Sequence, residues 1–212
     1  MAENRASMSV EERRRRRRRL RRQAAVLVFL MLAFGLAWFF ESQATTTVIF
    51  TRHADIDPAG GADQGLSPAG EARAAELARV LGDADVVTGV DAIFATQYRY
   101  SQETAGPLAH ALHLQVEVVD VNDVDGLIGH ILKEWKGKVV LVITDSDPLP
   151  LLIQKLHGSK KLPPLGAGEY DNLYVVSIPW YGKVKTLRLK YGAHYLPSAD
   201  PGAAPPPVPA AE

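Results

Sequence analysis

Residues 24–40, AAVLVFLMLAFGLAWFF, carry no charge and no Pro, and they directly follow an arginine-rich segment. This run constrains the chain more than any other feature. As a helix its seventeen residues rise about 25 Å, slightly less than a ~30 Å hydrocarbon core. Leu20 cannot extend it, because Arg21 and Arg22 intervene. Trp38 stands near the far end, where an amphipathic ring suits the membrane interface. The basic flank is expected to stay cytoplasmic, with everything after Phe40 on the other side. Two readings fit. One is a single-pass signal anchor. The other is a cleaved signal peptide, with small residues at Ser42 and Ala44 of Ser42-Gln43-Ala44. The run exceeds the usual ~7–15-residue signal core, which favours the anchor. The folded part would then be extracytoplasmic, and periplasmic if the source has an outer membrane.

The charge balance divides the same way. Lys plus Arg and Asp plus Glu are both 24, yet residues 1–23 hold ten Arg against three Glu. The remaining residues hold 14 basic and 21 acidic side chains. A basic head on an acidic body argues against nucleic-acid binding, which needs its basic patch on the folded part. The arginines are read as an orientation signal that also meets anionic lipid. With no Cys, disulfides, thiolate metal sites and a Cys nucleophile are excluded, although the compartment is not identified. The expected organisation is a basic segment 1–23, a membrane span 24–40, a folded domain 45–195 and a disordered Pro/Ala-rich tail 196–212.

Within 45–195, strand and helix patterns alternate. Thr46 to Thr51 is a β-branched and aromatic strand. Ser67, Pro68 and Glu71 mark a helix start, and an apolar stripe continues to about residue 82. Strands are predicted at 90–95 and 116–119, and helices at 101–113, 124–135 and 149–156. The apolar run Val139 to Thr144 predicts a central parallel strand covered on both faces. Residues 173–178 and 184–189 predict a closing hairpin, with Pro179-Trp180-Tyr181-Gly182 at its turn. Such alternation implies a mainly parallel sheet with helices on both faces, and ligands bind beyond the carboxyl ends of its strands. The residues to inspect are therefore Arg52-His53-Ala54, Thr96 to Arg99, and Asp145-Ser146-Asp147. An Arg can grip phosphate through paired hydrogen bonds, and a neutral imidazole can attack phosphorus.

Five segments in order, TVIFTRHAD, GLSPAGEARAAELARVL, AIFATQYRYSQETAGPLA, VVLVITDSDPLPLLIQKL and EYDNLYVV, make this body resemble the histidine phosphatase superfamily, or phosphoglycerate mutase-like proteins. The resemblance implies an α/β fold, a three-layer α/β/α sandwich, and a phosphohistidine mechanism that requires no cofactor. In that mechanism the His of an Arg-His-Gly motif takes the phosphoryl group. Its neighbouring Arg, a second Arg and a second His clamp it, and an acid protonates the leaving oxygen. Arg52 and His53 match, with Ala54 where Gly is usual. Thr104-Ala105 sets the register that puts Tyr100 at the second Arg position, with Arg99 one residue early. Asp145 occupies the second His position of a Gly-His-Ser-Asp motif, and Ser146 matches its Ser. The proton donor has no counterpart.

The implied catalytic set is thus His53, Arg52 and Asp145, with Arg52, Arg99, Tyr100 and Ser146 at the ligand. Asp145 is expected beside His53, where it would repel phosphate and raise the imidazole pKa. The implied function is binding of a phosphorylated small molecule, a phosphoprotein or another anionic ligand, with impaired or altered phosphatase activity. The alternative is an active phosphomonoesterase working through His53. His110 and His113, three apart on a helix, lack a convincing carboxylate partner, so no metal site is read there. Asp120, Asp123 and Asp125 are read as a solvated loop with a helix cap, not a calcium loop. Tyr170-Asp171-Asn172 is assigned no chemistry.

Overall fold

The structure, a computed structural model, describes residues 10–41, 45–61, 63–83, 89–163, 165–166 and 168–194 of the 212. The chain divides into two units, Met1–Gln43 and Ala44–Glu212.

The described part of the first unit is one helix, α1, Val10–Glu41. It runs through the predicted junction at residue 23 without a break. Its stretch Arg14–Phe39 is long and apolar enough to cross a membrane, with a mean hydropathy of 1.8 over its most apolar window. All of its side chains from Arg14 to Phe39 are exposed. The tail from residue 195 lies outside the described residues.

The second unit is a mixed sheet between two helical layers. In chain order its elements are β1 (Thr46–Arg52), α2 (Pro68–Gly82), β2 (Ala92–Thr96), α3 (Arg99–Leu112), β3 (Val116–Val119), α4 (Val124–Glu134), β4 (Val139–Thr144), α5 (Pro148–Lys155), β5 (Asn172–Ile178) and β6 (Lys185–Lys190). The sheet order is β3-β2-β4-β1-β5-β6. The first four run parallel, and β5 and β6 are antiparallel additions. The predicted three-layer sandwich is therefore present, and β4 is the inner strand that its continuous apolar run implies.

Alternation along the strands builds the layers. Val48, Phe50, Phe94, Val140 and Val142 face α4 and α5, meeting Leu127, Ile131, Leu152 and Ile153. Ile49, Ile93, Leu141 and Ile143 face α2 and α3, meeting Leu77, Leu81, Ala105 and Leu108. Ser67 caps α2 by accepting a hydrogen bond from the Gly70 amide, and Pro68 opens the helix. Asp123 caps α4 in the same way through the Gly126 amide, which explains the aspartates before it as a cap and solvated loop. β2 starts at Ala92, two residues later than the sequence pattern predicts. Asp91 just before it is fixed to Val139 twice, its amide donating to the Val139 carbonyl and its carboxylate accepting the Val139 amide, each at 2.8 Å.

Candidate active site

The carboxyl ends of β1 and β4 lie side by side, with Arg52 in register with Thr144. The His53 amide continues this pairing by donating to the Thr144 carbonyl. His53 and Asp145, each the first residue beyond its strand, are consequently neighbours. Their side chains meet with His53 Nε2 and Asp145 Oδ1 3.6 Å apart. Around them opens a cavity of about 530 Å3, whose lining includes Arg52, His53, Tyr98, Tyr100, Asp145 and Ser146.

Local contacts fix the histidine. Its side chain is buried, and Nδ1 lies 2.8 Å from the Ala54 carbonyl. A carbonyl can only accept, so Nδ1 carries the proton and Nε2 presents a lone pair to the cavity. The Ala54 amide donates to Thr104 Oγ1, which donates in turn to the Tyr100 carbonyl, tying the loop after β1 to α3. The His53 ring packs against Tyr100 at 4.3 Å and Tyr170 at 5.7 Å between centroids. The Arg52 guanidinium lies 4.2 Å above the Tyr170 ring, and its Nη1 donates to the Gly166 carbonyl. Tyr170, to which the sequence pattern assigns no chemistry, therefore braces both residues of the Arg-His pair.

Asp145 is held differently. Tyr100 donates its hydroxyl to Asp145 Oδ1 at 2.9 Å. Burial, reinforced by this hydrogen bond to Asp145, pushes the phenol pKa up, so Tyr100 stays a neutral donor. Asp145 Oδ2 is buried with no hydrogen-bond partner. The position expected for a second guanidinium thus carries a hydroxyl that is already engaged.

Two expectations need correction. Arg99 does not join the cavity. It points to the other side of the first turn of α3, where Nε donates to Glu103 at 2.7 Å and Nη1 lies 3.8 Å from Asp63. One helical residue is ~100° of rotation, and that places Tyr100, not Arg99, toward His53. Nor is the His53 pKa raised. Burial is the largest influence and lowers it, and Arg52 pushes the same way. The Ala54 hydrogen bond and the Asp145 charge oppose them without prevailing. His53 is thereby kept neutral.

This has a consequence for stability. In the unfolded chain a histidine binds its proton near pH ~6.5, whereas native His53 resists protonation to lower pH. The unfolded state then holds the extra proton, so stability falls as pH drops from ~6.5 toward the depressed native value. Denaturant midpoints should fall further between pH ~7.5 and ~5.5 in the wild type than in His53→Asn, which keeps a donor toward Ala54. Parallel pH profiles would contradict a buried neutral imidazole.

Other residues singled out by the sequence lie elsewhere. His113 ends α3 in the left-handed conformation, and His110 is exposed. Among the described residues, no group of three or more His, Cys, Asp or Glu side chains could hold a metal ion.

No protein-family model matches the sequence, and no curated protein matches it. Solved structures do. The protein histidine phosphatase SixA complexed with tungstate superposes with a TM-score of 0.57 at 18% identity, covering 68% of this chain and 96% of that one. A mycobacterial hydrolase gives 0.52 at 17% identity, covering 73% and 94%. A mycobacterial glucosyl-3-phosphoglycerate phosphatase complexed with inorganic phosphate gives 0.50 at 18% identity, covering 70% and 97%. Identities this low speak to architecture, and the shared architecture extends over nearly the whole of each of these structures. The second unit of this chain has the α/β/α fold that these phosphatase and hydrolase structures share.

Proposed function

We propose that this chain is a membrane-anchored histidine-phosphatase-like protein that binds an anionic or phosphorylated ligand through Arg52, with little or no phosphatase turnover. The observation that carries this reading is the Asp145 carboxylate 3.6 Å from His53 Nε2. A phosphoryl group attacked by Nε2 would have to enter beside that carboxylate. Two unit charges ~4 Å apart repel by about 4 kcal/mol at an effective dielectric of ~20. The Arg52 guanidinium remains at the cavity wall as an anchor for one anionic group. The ligands named for the similar structures, tungstate and inorganic phosphate, support an oxyanion as the ligand class. Helix α1 would anchor the protein, its basic flank in the cytoplasm and the folded unit outside it.

One observation favours a second reading, an active phosphomonoesterase. His53 is held neutral with its lone pair on Nε2, the state a nucleophile requires. Release of phosphate from an aryl phosphate by the purified full-length protein, with His53→Ala as control, separates the two. The expected result is no His53-dependent release above a trace. Robust release that collapses in both His53→Ala and Asp145→Asn would establish the enzyme and make Asp145 its proton donor.

A further inference from the structure

The antiparallel pairing of β1 with β5 puts Thr46 opposite Ile178. The first residue of the sheet and the tip of the β5–β6 hairpin therefore share one end of the domain. The candidate active site lies at the other end, beyond Arg52 and Thr144. At the hairpin tip, Trp180 is 55% exposed and Tyr181 is 87% exposed, with ring centroids 6.4 Å apart. Gly182 at φ +114° makes the turn that projects them. Neither ring belongs to the two buried clusters of the core.

Lysines follow them in the chain. Lys183 comes just after the tip and Lys185 opens β6, and both are exposed. The Ser159 amide donates to Thr186 Oγ1, which brings the loop bearing exposed Lys160 and Lys161 beside the same hairpin. Segments 157–163 and 179–190 contain no Asp or Glu, although the chain after residue 23 has seven more acidic than basic side chains. The ion pairs formed by lysines among the described residues involve Lys133, Lys138, Lys155 and Lys190, not these four. A cationic, aromatic edge on an acidic body matches an anionic bilayer surface. Trp and Tyr settle at headgroup level, and lysines meet the lipid charge.

Connectivity supplies that surface. Six residues separate Phe39, the end of the candidate span, from Thr46. Phe40 and Glu41 continue α1, so the four residues 42–45 that remain reach about 14 Å at most. We propose that the Trp180–Tyr181 hairpin tip and Lys160, Lys161, Lys183 and Lys185 dock on anionic lipid headgroups, holding the domain with its cavity turned away from the bilayer. The inference rests on the membrane anchorage proposed above. In it, the ligand reaches Arg52 and His53 from the aqueous side and is not a headgroup of the same membrane.

The chain has no Cys, so Tyr181→Cys in the full-length protein gives a single site for a spin label. Ala59→Cys, exposed in the loop after β1, gives a control at the opposite end. Both are reconstituted into vesicles of phosphatidylcholine alone or mixed equally with phosphatidylglycerol. The label at 181 should be shielded from aqueous relaxation agents in the anionic vesicles, and the label at 59 should not. An anionic surface favours each nearby lysine about fivefold. Changing all four lysines to Glu should therefore cut the docked fraction by ~10² or more, and high salt should weaken docking as well. Flotation with the vesicles reports the anchor separately. If the protein floats but the label at 181 stays as wet as that at 59, docking is overturned and the anchor stands. Equal shielding in both vesicle types overturns recognition of anionic lipid. Failure to float overturns the anchorage itself.

Discussion

Asp145→His is expected to raise phosphate release from an aryl phosphate by ~10² or more. Two changes occur in one substitution. The carboxylate 3.6 Å from His53 Nε2 disappears, removing a repulsion of about 4 kcal/mol per charge pair at an effective dielectric of ~20. In its place stands an imidazole able to donate to a phosphoryl oxygen, and one preorganised donor is worth ~10²–10³ in rate. The substitution also frees the Tyr100 hydroxyl, which now donates to Asp145, to turn toward the substrate. Tyr100→Arg in the same background should add to the gain, because a second guanidinium can grip the phosphate beside Arg52. His53→Ala in the double variant should abolish the acquired activity, which ties it to the imidazole. A wild type that already turns over briskly, and that Asp145→His slows, would defeat the proposal that Asp145 blocks phosphate chemistry.

The pairing of His53 with Asp145 was legible because strand ends are legible. Val139 to Thr144 is uninterrupted apolar sequence, and Thr46 to Thr51 is β-branched and aromatic. Whatever follows two adjacent parallel strands must meet at their carboxyl edge. Three features were not legible, each for its own reason. Arg99 and Tyr100 differ by one helical step, and which of them faces His53 depends on where α3 starts. Glu103, one turn on, then draws Arg99 to the far side. Tyr170 is 117 positions from His53 and reaches it only through the loop before β5. The direction of the His53 pKa depends on burial outweighing a nearby carboxylate. A sequence shows the carboxylate but not the amount of protein packed around the ring.

The same limit governs glycines, and it makes one substitution act with opposite sign in two helices. Gly129 lies in the middle of α4, exposed, with nothing within 4 Å of an added Cβ. Gly129→Ala should stabilise the protein by about 0.5–1 kcal/mol, the usual gain in a helix interior. Gly70 lies in the first turn of α2 and is buried. A Cβ there would collide with the Asp55 backbone, its carbonyl above all. That carbonyl cannot yield cheaply. It accepts the Ser67 amide at 2.9 Å and the Ser67 hydroxyl at 3.2 Å. The Asp55 carboxylate is held by Arg73 Nε at 2.6 Å. Gly70→Ala should therefore cost about 3 kcal/mol, the upper end of the overpacking range. The contrast between the two variants is then about 4 kcal/mol, read as opposite shifts in denaturant midpoint at unchanged slope. Asp55 is two residues from His53, so Gly70→Ala should also disturb the loop that carries the Nδ1 acceptor, visible as a changed His53 titration by NMR. Stabilisation by Gly70→Ala as well would mean that helix propensity alone decides at this position, and that the loop after β1 does not pack on α2.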